Sequence, residues 1–368
     1  MNHKISLSES IIDIDLKTPF SSVDTSFINQ FEQTLETFYK KEKKVVAVNS
    51  GTAAIHLALI LSGVEEGDEV LCQSFTYVAT VNPIIYQKAT PIFIDSEKET
   101  WNMCPVQLEL AIKDRIAKGR KPKAIIFVHS YGMPAKIDEI VAVSRKYKIT
   151  LIEDAAEALG SEYKGKKCGT FGDFGILSFN NNKIVTTLGG GVLICKTEEE
   201  KQKAIFYATQ ARENVNYYQY KEIGFNYRMN SFAAFIGISE FKKLAEYLKR
   251  RLDVNDFYKK YFIKFSNITL LKEPSGDFCS NHWLSCIKID GENTVFTKHT
   301  LMAMFNKNNI ESRFLWKPMH LQPVFKKYPY YGTKIAESLF NNGVCLPSGS
   351  NLNRNDLERI LTSVKKIL

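Results

Sequence analysis

Two residues of this chain, an aspartate and a lysine, could together carry out carbonyl chemistry. Asp154 ends the predicted strand ITLIEDA, at the sheet edge where α/β proteins bind ligands. Lys183 lies in the polar stretch SFNNNKIVTTLGGG, whose glycines allow close backbone approach. A lysine amine can form a Schiff base with an aldehyde, and an aspartate can hold a pyridine nitrogen protonated, which makes the ring an electron sink. Taken singly, Asp154 could be a cap and Lys183 a solvated surface residue.

A third feature is a candidate phosphate site. The sequence Asn49-Ser50-Gly51-Thr52-Ala53 lies at a predicted strand-to-helix junction, where free backbone N–H groups and a neighbouring hydroxyl can bind phosphate. The same residues could instead be an ordinary helix N-cap made by Ser50 or Thr52. The ring of Tyr77 or Phe75, in SFTYVAT, could stack on a planar cofactor. With the aspartate and the lysine, these parts would form a site for pyridoxal phosphate.

Two glycine-rich stretches do not fit a nucleotide-binding loop. GTFGDFG, at 169–175, and LGGGV, at 188–192, both lack the GxGxxG spacing between a strand and a helix. No GxxxxGK[ST] motif occurs in the chain either. The sequence therefore argues against a classical dinucleotide site or a P-loop.

Composition excludes several other classes. Of the 368 residues, 44% are apolar and 24% charged, which is ordinary for a globular protein. The net charge of +9 is spread along the chain, and its densest stretch, 113–123, indicates a solvated helix face rather than a nucleic-acid site. The seven cysteines contain no CxxC pair, so we expect reduced thiols, no disulfide framework and no metal site. Without a signal-like or membrane-length apolar run, we expect a cytoplasmic protein with no membrane partner.

The pattern of elements predicts how these residues are positioned. From about residue 44, short apolar strands alternate with helices, which is typical of a mostly parallel sheet covered on both faces. Seven strands are predicted, in KVVAVNS, EVLCQS, TPIFIDS, KAIIFVHS, ITLIEDA, GILSFN and GGVLICK. A long charged helix near residue 245 predicts the passage to a smaller C-terminal α+β domain. We therefore predict an N-terminal arm at 1–30, a large cofactor-binding domain at 31–245 and a small domain at 246–368.

Five long motifs carry a resemblance to a known family. They are NSGTAAIHLAL, SFTYVATVNPI, IEDAAEALGS, GTFGDFGILSFNNNKIVTTLGGG and GFNYRMN. In this order they resemble the nucleotide-sugar aminotransferases of the DegT/StrS type, over roughly residues 30–368. LWKPMHLQPVFKKYPYYG, CLPSGSNL and TQAREN resemble more narrowly the 4-aminotransferases that act on UDP-4-keto-6-deoxy sugars, as in the UDP-N-acetylbacillosamine pathway. The resemblance implies a fold-type I aminotransferase, a homodimer with two composite active sites that uses pyridoxal 5′-phosphate.

The resemblance also implies roles for individual residues at the cofactor. Lys183 would form the Schiff base, and Asp154 would pair with the pyridine nitrogen. Tyr77 would stack on the ring, with Glu157 beside it. Three residues would hold the phosphate group: Gly51, Thr52 and Ser178.

Four further positions follow from the same resemblance. Asn226 would reach the cofactor phosphate from the neighbouring subunit. Arg228, Trp316 and His320 would lie on the substrate side, although His320 could equally be a structural hydrogen-bonding residue. The family usually has glycine where this chain has Asn181, and we expect the turn to be kept because asparagine tolerates a left-handed backbone.

The implied reaction transfers the amino group of glutamate to C4 of a UDP-linked 4-keto-6-deoxy sugar, for surface glycans such as lipopolysaccharide. A 3-aminotransferase acting on a dTDP-linked 3-keto-6-deoxy sugar, or a 4-aminotransferase acting on a GDP- or dTDP-linked sugar, stays open. Family dehydratases carry histidine at the lysine position, so Lys183 favours transamination. A non-catalytic sugar-nucleotide-binding protein would not need both Lys183 and Asp154.

Overall fold

The computed structural model describes residues 3–9, 12, 26–290 and 296–367. The strands among these residues are β1 (Lys44–Val48), β2 (Glu69–Gln73), β3 (Thr90–Ile94), β4 (Ala124–Val128), β5 (Thr150–Asp154), β6 (Glu162–Tyr163), β7 (Lys166–Lys167), β8 (Phe174–Ser178), β9 (Gly191–Cys195), β10 (Ile268–Leu270), β11 (Phe278–Cys279), β12 (Ser285–Ile289), β13 (Arg313–Phe314), β14 (Tyr330–Tyr331) and β15 (Gly343–Leu346). The helices are α1 (Ser26–Phe38), α2 (Gly51–Leu61), α3 (Asn82–Tyr86), α4 (Pro105–Ala117), α5 (Ile137–Tyr147), α6 (Glu198–Ala208), α7 (Ser231–Phe241), α8 (Leu244–Phe262), α9 (Lys298–Lys307), α10 (Ile335–Asn342) and α11 (Arg354–Lys365). No helix in these ranges is long and apolar enough to cross a membrane.

The largest sheet has the strand order β1-β9-β8-β5-β4-β2-β3-β14. Strand β9 is antiparallel to both neighbours, β1 and β8, and the remaining pairs are parallel. All seven strands predicted from the sequence belong to this sheet, so the prediction of a mostly parallel α/β sheet is confirmed. The eighth strand, β14, has two residues, and such a short run gives no recognisable sequence pattern.

Both faces of this sheet are buried, which explains why its strands are apolar without alternation. Leu71 and Ile125 pack into one hydrophobic cluster, whereas their neighbours Val70 and Ile126 pack into another. Successive side chains of a strand point to opposite faces, so the two clusters lie on opposite sides of the sheet. Helices cover both faces, as a parallel sheet requires.

The sequence pattern of VATVNPIIYQK predicts a single helix, but the structure interrupts it. The segment VATVNPIIYQK forms a 3-10 helix at Val78–Thr80 and then α3. Pro83 lies in the first turn of α3, where its missing N–H removes no hydrogen bond, whereas inside a continuous helix it would remove one. The prediction of a single helix here was wrong for this reason.

The C-terminal part of the chain forms a second, antiparallel sheet with the order β10-β12-β15-β13. A third cluster of buried side chains lies between this sheet and helices α8, α9 and α11, and includes Tyr258, Ile287 and Ile360. Helix α8 begins at Leu244, next to the predicted boundary at 245. Of the predicted arm at 1–30, the segments 1–2, 10–11 and 13–25 lie outside the described residues. Ile5 forms an isolated β-bridge with Ile310, and both side chains belong to the third cluster.

The carboxyl edge of the main sheet brings distant parts of the sequence together. β5 ends at Asp154, β8 ends at Ser178, and helix α2 begins at Gly51, shortly after β1. Gly191 on β9 pairs with both Val48 and Ser178. A Cβ on Gly191 would lie 2.2 Å from the carbonyl carbon of Ser50, so the glycine-rich stretch is needed for the start of α2 to approach the sheet.

Candidate active site

Lys183 lies at this edge with its amine directed at an acid. Its side chain is 13% exposed, and Nζ is 3.3 Å from Oε1 of Glu157. Nζ also lies 4.0 Å from the centre of the Trp283 ring, in cation–π geometry. The amine is therefore held between a carboxylate and an aromatic face.

The turn that carries Lys183 is fixed from several directions. The Lys183 N–H donates to the carbonyl oxygen of Asn180 at 3.0 Å. The carbonyl oxygen of Asn182 accepts hydrogen bonds from Trp283 Nε1, at 2.8 Å, and from the Ser8 hydroxyl, at 2.9 Å. The turn is kept, as expected, but Asn181 is not among the residues with positive φ, so it does not use the left-handed backbone.

Asp154 is buried, and both its carboxylate oxygens accept hydrogen bonds. Thr80 Oγ1 donates to Oδ2 at 2.8 Å, and the Ala156 N–H donates to Oδ1 at 3.1 Å. Burial raises the pKa of Asp154, opposed by these two hydrogen bonds and by the positive charge of Lys183. A cationic ring nitrogen beside Asp154 would lower this pKa, so the position suits a pyridinium partner.

Glu157 completes the buried corner. Its Oε2 accepts a hydrogen bond of 2.8 Å from the Tyr131 N–H, and its Oε1 faces Lys183. Burial raises the pKa of Glu157 to about 7, and the nearby charge of Asp154 adds to this, while Lys183 acts in the opposite direction. The carboxyl group can thus take up or release a proton near neutral pH beside the lysine amine. We call Asp154, Glu157 and Lys183 the catalytic corner.

The start of α2 has the features of an anion site. Ser50 is the N-cap and accepts a hydrogen bond from the Ala53 N–H at 3.1 Å. Within the described residues, no acceptor is bonded to the N–H groups of Gly51 and Thr52. A Cβ on Gly51 would lie 3.3 Å from the Cβ of Ser178, so the Ser178 hydroxyl is adjacent. The N-cap interpretation is confirmed for Ser50. The next two amides remain available for an anion such as a phosphate.

These groups fit pyridoxal phosphate. The anion-binding helix start would take the phosphate, the buried carboxylate of Asp154 would take the ring nitrogen, and the amine of Lys183 would take the aldehyde. All three lie along the carboxyl edge formed by β1, β8 and β5. The side chain of Tyr77 is 59% exposed at the N-cap of the 3-10 helix that contains Thr80, where a stacking ring would be open to a ligand.

The predicted substrate-side residues occupy different settings. Trp316 stacks on Tyr131, with ring centres 4.3 Å apart, and the backbone N–H of Trp316 donates to the Tyr131 hydroxyl oxygen. His320 Nδ1 is 2.7 Å from the Ser74 hydroxyl, and burial lowers the pKa of this histidine. Tyr131 also donates its N–H to the catalytic corner, so Trp316 is linked to that corner through a single residue.

Arg228 and Asn226 lie near the start of α2. The Nη1 group of Arg228 donates to Oε1 of the buried Glu32, at 2.5 Å, and to the carbonyl oxygen of Ala47, at 2.9 Å. The carbonyl oxygen of Asn226 accepts a hydrogen bond from Asn49 Nδ2 at 3.0 Å, and Asn226 itself is exposed. Arg228 is thus engaged in an ion pair, whereas Asn226 faces outward.

Several residues around the corner are missed by sequence reasoning. Thr80 binds Asp154, and Trp283 contacts Lys183. Asn281 donates to the carbonyl oxygen of Glu157 at 2.8 Å. Thr80 lies within SFTYVATVNPI and could have been noticed as a hydroxyl near Tyr77. Asn281 lies 124 residues from Glu157 along the chain and Trp283 lies 101 residues from Asn182, so no local pattern marks them.

The other glycine-rich stretch, GTFGDFG, proves to be a binding loop for the chain's own carboxylate. Glu153, next to Asp154, accepts hydrogen bonds from the N–H groups of Gly169, Phe171 and Gly172 at 2.6, 2.6 and 3.0 Å. His129 Nε2 lies 2.9 Å from Oε1 of Glu153. Although these groups lie near Cys168 in a metal-like cluster, the carboxylate is already saturated by protein donors. The loop fixes the end of β5.

The fold and this corner define a class of enzyme. An amine, a carboxylate at a strand end and an anion-binding helix start meet at the carboxyl edge of a mostly parallel sheet, which is the arrangement of a pyridoxal-phosphate-dependent aminotransferase. The model of the DegT/DnrJ/EryC1/StrS aminotransferase family matches residues 17–365. The chain belongs to this family, and it is an aminotransferase that uses pyridoxal phosphate.

Individual relatives agree over nearly the whole chain. EpsN of Bacillus subtilis, named as a pyridoxal phosphate-dependent aminotransferase, is 45% identical over 91% of this chain and 86% of its own length. A GDP-perosamine synthase of Caulobacter vibrioides is 33% identical over 93% of this chain and 90% of its own. A solved DegT DnrJ EryC1 StrS aminotransferase from Brucella abortus is 27% identical, with a TM-score of 0.86 over 93% of this chain and 90% of that one.

Proposed function

We propose that this aminotransferase moves the amino group of glutamate to C4 of a nucleotide-linked 4-keto-6-deoxy sugar, that the nucleotide is UDP, and that the product enters a surface glycan. The observation that carries the transamination is the catalytic corner, where the amine of Lys183 lies 3.3 Å from Glu157 at the sheet edge that ends in Asp154. The choice of C4 and of UDP is supported by the motifs around Trp316, His320 and 345–352, which resemble the 4-aminotransferases of UDP-linked sugars.

Lys183 is the residue that would move protons. When bound, pyridoxal phosphate supplies an aldehyde for Schiff-base chemistry and a ring that accepts the electron pair left at the substrate carbon. Lys183 Nζ would carry a proton between Cα of glutamate and the C4′ carbon of the cofactor, as general base and then general acid. With the ketone sugar, the same amine would carry the proton in the reverse direction, leaving the amino group on the sugar.

The two carboxylates of the corner would have different tasks. Asp154, fixed by Thr80 and Ala156, would keep the ring nitrogen protonated. Glu157 would orient the lysine amine and, with a pKa of about 7, could exchange a proton with it near neutral pH. Trp283 covers the amine on its other side, which limits the access of water to it.

The remaining assignments concern binding. Gly51, Thr52 and Ser178 would hold the phosphate at the start of α2, and Tyr77 would stack on the ring. Trp316 and His320 would contact the sugar nucleotide. Arg228 would have to release Glu32 before it could reach a substrate.

Lys183 also bears on the alternative classes. A dehydratase of this family would carry histidine at that position, and a protein that only binds sugar nucleotides would need neither the paired amine of Lys183 nor the buried carboxylate of Asp154. The GDP-perosamine synthase of Caulobacter vibrioides, at 33% identity, favours a second candidate, a 4-aminotransferase of a GDP-linked sugar.

A panel of substrates tests this proposal. Purified enzyme is incubated with glutamate and with UDP-, GDP- or dTDP-linked 4-keto-6-deoxy sugars, and the amino product is identified by NMR. We expect the highest kcat/KM with the UDP-linked sugar and nitrogen at C4, and no product with the Lys183→Ala variant. A preference for the GDP-linked sugar would replace the UDP assignment, and the absence of an amino product from all three 4-keto sugars would overturn the C4 assignment.

We also propose a homodimer in which each site takes Asn226 from the partner subunit. The exposed position of Asn226 and the exposed aromatic rings before it in the sequence, Tyr217, Tyr218 and Tyr220, support a contact surface here. The division into a cofactor-binding domain at 31–245 and a small domain at 246–368 is likewise a proposal, supported by the start of α8 at Leu244.

A further inference from the structure

His56 is a buried titratable side chain that the proposed chemistry does not use. It lies on α2, in the same helix as Gly51 and Thr52, and is 4% exposed. Its Nδ1 is 3.1 Å from the hydroxyl of Tyr227, and its Nε2 is 2.8 Å from Nε2 of Gln87. Both ring nitrogens therefore have partners.

The hydrogen bonds define the form of the ring. The amide nitrogen of Gln87 can only donate, so Nε2 of His56 is the bare acceptor. Nδ1 then carries the proton and donates to the Tyr227 hydroxyl oxygen. Burial lowers the pKa of His56 to about 4, which agrees with a neutral ring at working pH.

Tyr227, one of the two hydrogen-bond partners of His56, belongs to the segment that carries Asn226. The ring centre of Phe225 lies 4.8 Å from that of His56, edge to face. Phe225 and Tyr227 stack on each other with ring centres 4.9 Å apart and planes 14° apart. His56 thus contacts the residue on each side of Asn226.

The backbone of this segment determines the direction in which the Asn226 side chain points. The segment is extended, with bridges from Asn226 to Thr209 and from Arg228 to Val48. Residues two apart in an extended segment point to the same face, and the residue between them points to the other. Because Phe225 and Tyr227 are held inward at His56, Asn226 is directed outward.

We propose that His56 is a positioning residue for Asn226 and therefore acts on the cofactor phosphate bound in the partner subunit. This inference rests on the proposed dimer with composite sites. His56 lies in the helix whose first residues, Gly51 and Thr52, would bind phosphate in its own subunit, yet the proposed effect of His56 is on the site of the partner. If a substitution at His56 only disturbed α2, cofactor binding would weaken in the same subunit. If it instead released Phe225 and Tyr227, and with them Asn226, cofactor binding would weaken in the partner.

Heterodimers distinguish an effect of His56 on its own subunit from an effect on the partner. The His56→Phe variant keeps a ring but loses both hydrogen bonds. We expect its homodimer to bind pyridoxal phosphate roughly three- to tenfold more weakly, the loss expected for displaced hydrogen bonds, measured by titrating the apoenzyme and following the absorbance of cofactor attached to Lys183. A Tyr227→Phe variant, which removes only the hydroxyl partner, should show a smaller loss in the same direction.

The decisive sample is a heterodimer of a His56→Phe subunit and a Lys183→Ala subunit, purified with two different tags. Its single lysine-bearing site would receive Asn226 from the subunit with intact His56. We expect this site to bind the cofactor as tightly as wild type. Binding as weak as in the His56→Phe homodimer would place the effect within one subunit and overturn the inference.

A reference heterodimer distinguishes this failure from that of the composite site. It pairs an Asn226→Ala subunit with the same Lys183→Ala subunit. If the reference regains wild-type affinity and the His56 heterodimer does not, only the role of His56 is overturned. If the reference also stays weak, the composite site itself is wrong, and the inference falls with it. If His56→Phe does not fold, Tyr227→Phe is used in the same heterodimer and must give the same restoration.

Discussion

The catalytic corner and the segment at 209–228 differ in how far their side chains are exposed. In the corner, Lys183 is 13% and Glu157 5% exposed at the side chain, and each polar group has a partner within the chain. In the segment, Tyr217 is 65% and Ile223 86% exposed. The groups of the corner therefore find their partners within one chain, whereas the segment presents exposed apolar surface. In the proposed homodimer, the second subunit would cover that surface.

The difference indicates how the two regions are stabilised. The partly buried amine of Lys183 lies against the buried carboxyl group of Glu157, and a buried charge without a partner would be costly. The corner is therefore stabilised by contacts among the chain's own residues. Besides its contacts with His56, the segment is held by backbone hydrogen bonds. The Phe225 N–H donates to the carbonyl oxygen of Tyr207 at 2.7 Å, and the Asn49 N–H donates to the carbonyl oxygen of Tyr227 at 2.7 Å. Its exposed side chains remain available for contact with a second subunit in the proposed homodimer. Substitutions in the corner should therefore lower the rate of transamination. Substitutions in the segment should instead weaken cofactor binding.

The largest effect is expected for Lys183→Ala. In the proposed mechanism the Lys183 amine is the group that carries the proton between the substrate carbon and the cofactor, so we expect no measurable turnover without it. The fold should be kept, because Glu157, having lost the cation that lowers its pKa, can become neutral by taking up a proton. The measurements are transamination rate and thermal unfolding, with Lys196→Ala, at the opposite edge of the sheet, as the matched control. Substantial turnover in Lys183→Ala would remove this residue from the mechanism.

Asp154→Asn should lower kcat by a hundredfold or more. An amide can still bond to Thr80, but it cannot stabilise a cationic ring nitrogen, and one charge-assisted hydrogen bond alone is worth about 1.5–3 kcal/mol. Asp173→Asn changes an aspartate at the other edge of the same sheet, just before β8, and should leave kcat nearly unchanged. A wild-type rate in Asp154→Asn would mean that another residue faces the ring nitrogen.

Asn226→Ala tests the segment. We expect its homodimer to bind pyridoxal phosphate roughly ten- to a hundredfold more weakly, the loss of one hydrogen bond to a charged phosphate, with the unfolding temperature of the apoenzyme unchanged. Asn216→Ala, also exposed and in the same segment, serves as the control. Equal cofactor affinity in Asn226→Ala and wild type would show that the segment does not contribute to the site.

How far the sequence could predict these regions follows from the range of the contacts involved. The seven long strands and the ends of β5 and β8 are encoded in local apolar runs, and so Asp154 and Lys183 could be singled out. Helices α1 and α7 were not recognised, and Trp283 and Asn281 reach the corner from a distant part of the chain. Such contacts depend on how the C-terminal part of the chain packs onto the cluster beside the main sheet, which no local pattern records.

The smallest effect, and the sharpest test of electrostatics in the corner, concerns the pH dependence of apoenzyme stability. The pKa of Glu157 is raised from 4.5 to about 7 in the folded chain. Between these values the native state binds more protons than the unfolded state, so stability falls as pH rises through this window. Glu157→Gln cannot lose a proton and should lack this part of the decline. Its unfolding temperature relative to wild type should therefore rise between pH 5 and pH 8, by about a few degrees for a chain of this size. Glu66→Gln, at an exposed carboxylate, should run parallel to wild type. A Glu157→Gln curve that also ran parallel would mean that Lys183 keeps Glu157 ionised throughout, so that the corner is a fixed ion pair and not a site able to exchange a proton near neutral pH.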